Sequence, residues 1–176
     1  MRVPELWVGM LTAGVALAQP DLFVWHGASW ITAGEAGGLA PGAIFTVQFV
    51  AGDPPACVNA AQLTIRVQAS NGTTLEFPAE LSDRPCLEVR GTLPLRTPQG
   101  SAQLSVSGDG RTRAPAPITV LRSNFGIFTR SGSGRGAALG QHSGELIQLS
   151  RPARPGDVVT LAGTGLGINL PLSQVS

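Results

Sequence analysis

Apolar and polar residues alternate with a period of two along the middle of this chain. Leu63-Thr64-Ile65-Arg66-Val67-Gln68-Ala69 places every second side chain on one side, and Thr74 to Leu81 does the same on the way back. Successive side chains of a strand point to opposite faces, so each run predicts a strand with one buried and one wet face. Asn71-Gly72 between them is a two-residue hairpin signal, because both residue types accept positive φ. Pro78 has no N–H to give to a ladder, which confines the returning strand to a sheet edge or a bulge. Cys86 to Leu93 alternates again after Asp83-Arg84-Pro85. Ala102 to Ser107 follows the turn residues Pro98-Gln99-Gly100, and Ile118 to Leu121 closes the series. Upstream, Ile44 to Val50 is a β-branched and aromatic run, and Phe23 to Trp30 is an apolar lead-in that holds two tryptophans. No segment keeps a helical period over three turns. Short alternating strands with turn chemistry between them predict an all-β fold, an immunoglobulin-like antiparallel β-sandwich over residues 22–121.

One pattern occurs twice. Ala40-Pro41-Gly42-Ala43-Ile44-Phe45-Thr46-Val47 and Arg154-Pro155-Gly156-Asp157-Val158-Val159-Thr160-Leu161 each lead from a Pro-Gly turn into a β-branched run. About one small domain's length separates the two starts. Residues 122–176 therefore read as the opening of a second, incomplete immunoglobulin-like sandwich. It starts with the apolar stretch Asn124 to Thr129 and runs through the Gly/Ser loop Ser131 to Gly136. A half sandwich exposes its inner face. The expectation is that the chain is a piece of a longer protein or that this half packs on something else.

Composition narrows the class. Charged residues make up 13% of the 176, with 23 glycines and 14 prolines, which disfavours long surface helices and favours strands joined by turns. All 12 basic residues are arginine, there is no tyrosine, and the net charge is +1. No basic cluster stands out, so nucleic acid is not expected as a partner. Residues 1–18 have the form of a signal peptide: Arg2, an apolar run from Leu6 to Leu17, and the cleavage motif Ala16-Leu17-Ala18. No other stretch approaches the ~20 apolar residues of a membrane-spanning helix, so no transmembrane segment is expected in the mature chain. The localisation implied is export, to the periplasm, cell surface or medium. In an oxidising compartment the only two cysteines, Cys57 and Cys86, are a natural disulfide pair. Closing a loop of that length contributes about 3–4 kcal/mol in the chain-entropy model.

The turn and strand residues have a family likeness. Gly27-Ala28-Ser29, Leu39 to Ile44, Gly126 to Thr129, Gly136 to Leu139, and Pro152 to Gly167 resemble the secreted acidobacterial repeat domains known as the Solibacter-type uncharacterised C-terminal domain. Those units are similar to IPT/TIG-type immunoglobulin-like folds. The resemblance implies a fold and an exported setting. It implies no activity.

Candidate chemistry is sparse. Neither His26 nor His142 has a carboxylate or Cys at metal-ligand spacing, and no cofactor motif is legible. Gly163-Thr164-Gly165-Leu166-Gly167 departs from the dinucleotide fingerprint in its third glycine and opens no helix. Ser133, His142 and Asp157 supply the residue types of a hydrolytic triad, without a G-x-S-x-G elbow. Trp25 and Trp30 are candidates for a sugar-stacking platform, set against the alternative that both pack in the core. The expected function is a non-catalytic module with a structural or adhesive role. Its partner is unassigned, a cell-surface polysaccharide or protein. The alternative is a carbohydrate-binding module attached to a secreted enzyme.

Overall fold

The alternating runs pair as two antiparallel sheets. The structure is a computed structural model and describes residues 22–34, 37–50, 62–82, 88–108, 111–131 and 138–168. Residues 1–18, where a signal peptide is expected, and Cys57, Cys86 and Ser133 lie outside the described residues. The first sheet holds β1 (Leu22–His26), β2 (Ile44–Phe49), β6 (Glu88–Thr92) and β5 (Glu80–Leu81), in the order β1-β2-β6-β5. The second holds β4 (Thr74–Pro78), β3 (Thr64–Ala69) and β7 (Gly100–Gly108), with β8 (Arg111–Thr112) and β9 (Ala116–Val120) both paired to the far side of β7.

The hairpin between β3 and β4 forms at Asn71-Gly72, with Gln68 opposite Thr74 and Ala69 N donating to Thr73 O at 2.8 Å. β4 is an edge strand, as Pro78 requires. The run from Thr74 to Leu81 is not one strand, however. Beyond Pro78 the chain leaves the second sheet, and Glu80–Leu81 joins the first beside β6. Ala79, between the two pieces, is buried in the core, so the alternation runs on through the change of sheet.

That core is the space between the sheets. Val24, Phe45, Val47 and Val89 enter it from the first sheet, and Ile65, Val67, Leu104, Val106 and Ile118 from the second. Burying each such side chain contributes roughly 1.5–3 kcal/mol. Phe45 meets Phe77 of the opposite sheet edge-on, with centroids 6.3 Å apart and planes at 88°. This is a favoured aromatic geometry, and it joins the two layers directly. The protein is thus an all-β sandwich over these residues.

After Val120 the strands shorten. β10 (Gly126–Ile127) pairs with β14 (Gly163–Thr164), and β11 (Gly140–His142) lies between β12 (Glu145–Leu146) and β13 (Thr160–Leu161). The β-branched run from Val158 to Leu161 forms only the two residues of β13. Val158 is 81% exposed and Leu149 fully so. Exposed as they are, these apolar positions gain little by extending the strand. The two Pro-Gly turns nevertheless share one geometry. Ala43 N donates to Ala40 O at 2.8 Å and Asp157 N to Arg154 O at 3.0 Å, with φ of +81° at Gly42 and +92° at Gly156. Pro followed by a positive-φ glycine defines a type II turn.

Gly91 shows how closely the layers meet. A Cβ there would lie 2.7 Å from Phe45 Cζ and 2.8 Å from Ile65 Cδ1, one atom from each sheet. Gly91→Ala is expected to overpack the core and destabilise the protein by about 1–3 kcal/mol. In urea unfolding the midpoint should fall with the slope unchanged.

Candidate functional site

The ladder between β1 and β2 ends abruptly, and that end is where the following strands attach. Leu22 to His26 pair with Phe49 to Phe45 in register. Gly27 N still donates to Ile44 O at 2.9 Å, but there β1 turns away. The Ile44 N–H faces the side that β1 has left. It donates instead to Thr164 Oγ1, 2.8 Å away and 120 residues on. The Thr164 hydroxyl in turn reaches Gly42 O at 3.5 Å. Thr164 is buried, so its hydroxyl satisfies a backbone donor that water does not reach easily.

His26 closes the same junction from the other side. Its ring is buried, and the backbone N–H groups of Ala28 and Ser29 donate to Nδ1 at 3.3 and 3.2 Å. Nδ1 is therefore an acceptor, and the proton sits on Nε2, which donates to Asn124 O at 3.0 Å. Asn124 returns a bond of its own, from Nδ2 to Gly38 O at 2.5 Å. Gly126 lies against the imidazole; a Cβ there would come within 2.6 Å of His26 Cε1. Burial pushes the His26 pKa below its ordinary 6.5, while the Asn124 carbonyl pulls weakly the other way. Sequence reading gave His26 no role. Its partners lie far along the chain and leave no local pattern.

The outward face of the first sheet carries the aromatic candidates. β1 alternates, with Leu22, Val24 and His26 inward and Phe23 and Trp25 outward. Trp25 and Trp30 are 6.3 Å apart between ring centroids, with planes at 40°; Phe23 and Trp25 are 6.4 Å apart at 45°. Trp25 Nε1–H donates to Gln48 Oε1 at 3.2 Å across the strands. Phe23 is 44% and Trp30 37% exposed, so the three rings form a strip on the surface and the core-packing alternative does not hold. Sequence reading found both tryptophans and missed Phe23, whose period-two spacing from Trp25 was the available signal.

Trp30 is held in an unusual backbone conformation. Its φ is +54°, in the left-handed region that bulky residues avoid. The turn around it is closed by Trp30 N to His26 O at 2.9 Å and His26 N to Ile31 O at 3.0 Å.

His142 and Asp157 are brought near each other, with Nε2 and Oδ1 3.8 Å apart on the surface. His142 Nδ1 faces Val158 O at 3.0 Å, and Nε2 faces Ser143 Oγ at 3.3 Å. A hydrolytic triad needs the carboxylate on Nδ1 and the nucleophile on Nε2. Here hydroxyl and carboxylate share one nitrogen and a carbonyl occupies the other, which is a different arrangement. Among the described residues, no cluster of three or more His, Cys, Asp or Glu is placed to hold a metal. No helix among them is long and apolar enough to cross a membrane. Set against known proteins, the chain matches no family model and no curated protein.

The junction makes a pH prediction. The unfolded His26 takes a proton near 6.5, whereas the native ring, with its pKa lowered, resists it. Below 6.5 the unfolded state binds more protons, so the stability present above 6.5 is lost as pH falls through that value toward the lowered native one. Thermal midpoints measured from pH 8 downward should drop in this window, and His26→Gln should flatten that part of the curve.

Proposed function

We propose that this chain is an exported, non-catalytic immunoglobulin-like module with a structural or adhesive role at the cell surface or in the secreted fraction. The observation that carries the reading is the junction of His26, Asn124 and Thr164. Its polar groups, the buried side chains of His26 and Thr164 and the half-buried Asn124, fasten one β-unit to the next, which suits a protein that holds modules in fixed relation. The matched Pro-Gly turns support a repeated unit, in line with the resemblance to the Solibacter-type domains. The signal-like residues 1–18 and the Cys57–Cys86 pair belong to the same proposal, as features of an oxidising compartment. The exposed aromatic strip supplies the adhesive face. Contiguous exposed apolar patches, unlike single exposed residues, are a feature of interaction sites.

Location and turnover together test the reading. On intact native cells, added protease should remove the protein or the medium should contain it, with a mature mass that starts at Gln19. The purified chain should turn over no ester, glycoside or peptide substrate. A protein retained inside the cell with Met1 in place, or one that turns over any of these substrates, overturns the proposal.

A further inference from the structure

We infer that the outward strip of Phe23, Trp25 and Trp30, with Gln48 beside it, binds a single chain of a neutral polysaccharide. The inference rests on the adhesive reading above and names its ligand. Three observations carry it. The first is the rings themselves, Phe23 and Trp30 each neighbouring Trp25 at centroid distances of 6.4 and 6.3 Å, at the edge strand of the sheet. Aromatic rings offer apolar faces on which the C–H faces of a pyranose can stack, and they lose little conformational entropy in doing so. The second is the polar surround. Gln48 stands next to Trp25, and its amide can serve hydroxyl groups as donor and acceptor. Among the described residues the charged side chains of this face, Glu80, Glu88 and Arg90, lie two and three strands further in, on β5 and β6, and none stands in the aromatic edge itself. A neutral polyhydroxyl chain complements that edge better than an anionic one. A shallow cleft of about 150 Å³ opens beside Phe23, between Thr32 and Pro117, and could take a substituent of the chain.

The third observation is Trp30. A bulky residue at φ +54° costs on the order of 1–3 kcal/mol and persists only where the surroundings enforce it. Such strain gathers at ligand clamps, and here it delivers an indole to the end of the aromatic row. The ring planes turn by 40° and 45° from one to the next. Rings so tilted cannot all lie on one flat crystal face. They follow a twisted chain free in solution, which points to soluble polymers over crystalline cellulose.

Affinity electrophoresis of the full chain in gels containing soluble xylan, mixed-linkage β-glucan or galactomannan tests this, with polygalacturonate as an anionic probe and microcrystalline cellulose in a pull-down. The expected result is retardation by at least one neutral soluble polymer. Phe23→Ala and Trp30→Gly should each weaken it by on the order of tenfold. Trp30→Gly is the decisive variant, because glycine accepts the left-handed φ without strain. Its thermal midpoint should stay level or rise while binding weakens; a Trp30 that served only packing would lower the midpoint instead. No retardation by any neutral polymer overturns the inference, as does retardation that both variants retain. Binding to polygalacturonate alone or to crystalline cellulose alone also overturns it. So does a concentration-dependent dimer in sedimentation that Trp30→Gly abolishes, since the face would then hold a second copy. An exported, inert chain that binds none of the polymers sinks this inference and leaves the module reading standing.

Discussion

One unpaired backbone amide organises the molecule. Where β1 leaves β2 at Gly27, the N–H of Ile44 is left at the open end of a ladder, beside a buried histidine. An unsatisfied buried donor costs about 1–3 kcal/mol, so the fold must supply an acceptor. It comes from Thr164, at the other end of the chain, and the same approach brings Asn124 onto His26. The short strands β10 and β14 bury little apolar surface of their own. Their placement follows from closing this gap in the sandwich.

The β1–β2 end also governs the surface. His26 accepts the two amides of the turn that follows it, and that turn lifts Trp30 into line with Trp25 and Phe23. Inward, the histidine meets the junction; outward, the turn presents an aromatic row. The strain at Trp30 and the desolvation of His26 are therefore costs carried by one small region, offset by the sandwich core on which it sits.

Much of the sandwich was legible because its signals are local. Ile65 and Val67 alternate with Arg66 and Gln68, Asn71-Gly72 makes its turn within four residues, and Pro78 marks the edge by its missing N–H. The failures have a common cause in the opposite direction. The split between Pro78 and Glu80 is a change of sheet, which leaves the alternation intact. The shortened β13 is exposed at both of its residues, which no local propensity records. The junction joins Ile44 to Thr164 and His26 to Asn124, separations of 120 and 98 residues, through hydroxyl, imidazole and amide groups that look unremarkable in sequence. The tryptophans were visible by type, but only the pairing of β1 with β2 and the turn after His26 decided which way they face.

Hydrogen exchange at the Ile44 amide tests the account most directly. If the Thr164 hydroxyl caps the ladder, this proton exchanges as slowly as that of Val47 in the middle of β2. In Thr164→Val it should exchange at the rate of an open loop while Val47 stays protected. An Ile44 amide that exchanges freely in the native chain, or one whose protection survives Thr164→Val, would contradict the claim that this bond joins the two parts of the protein.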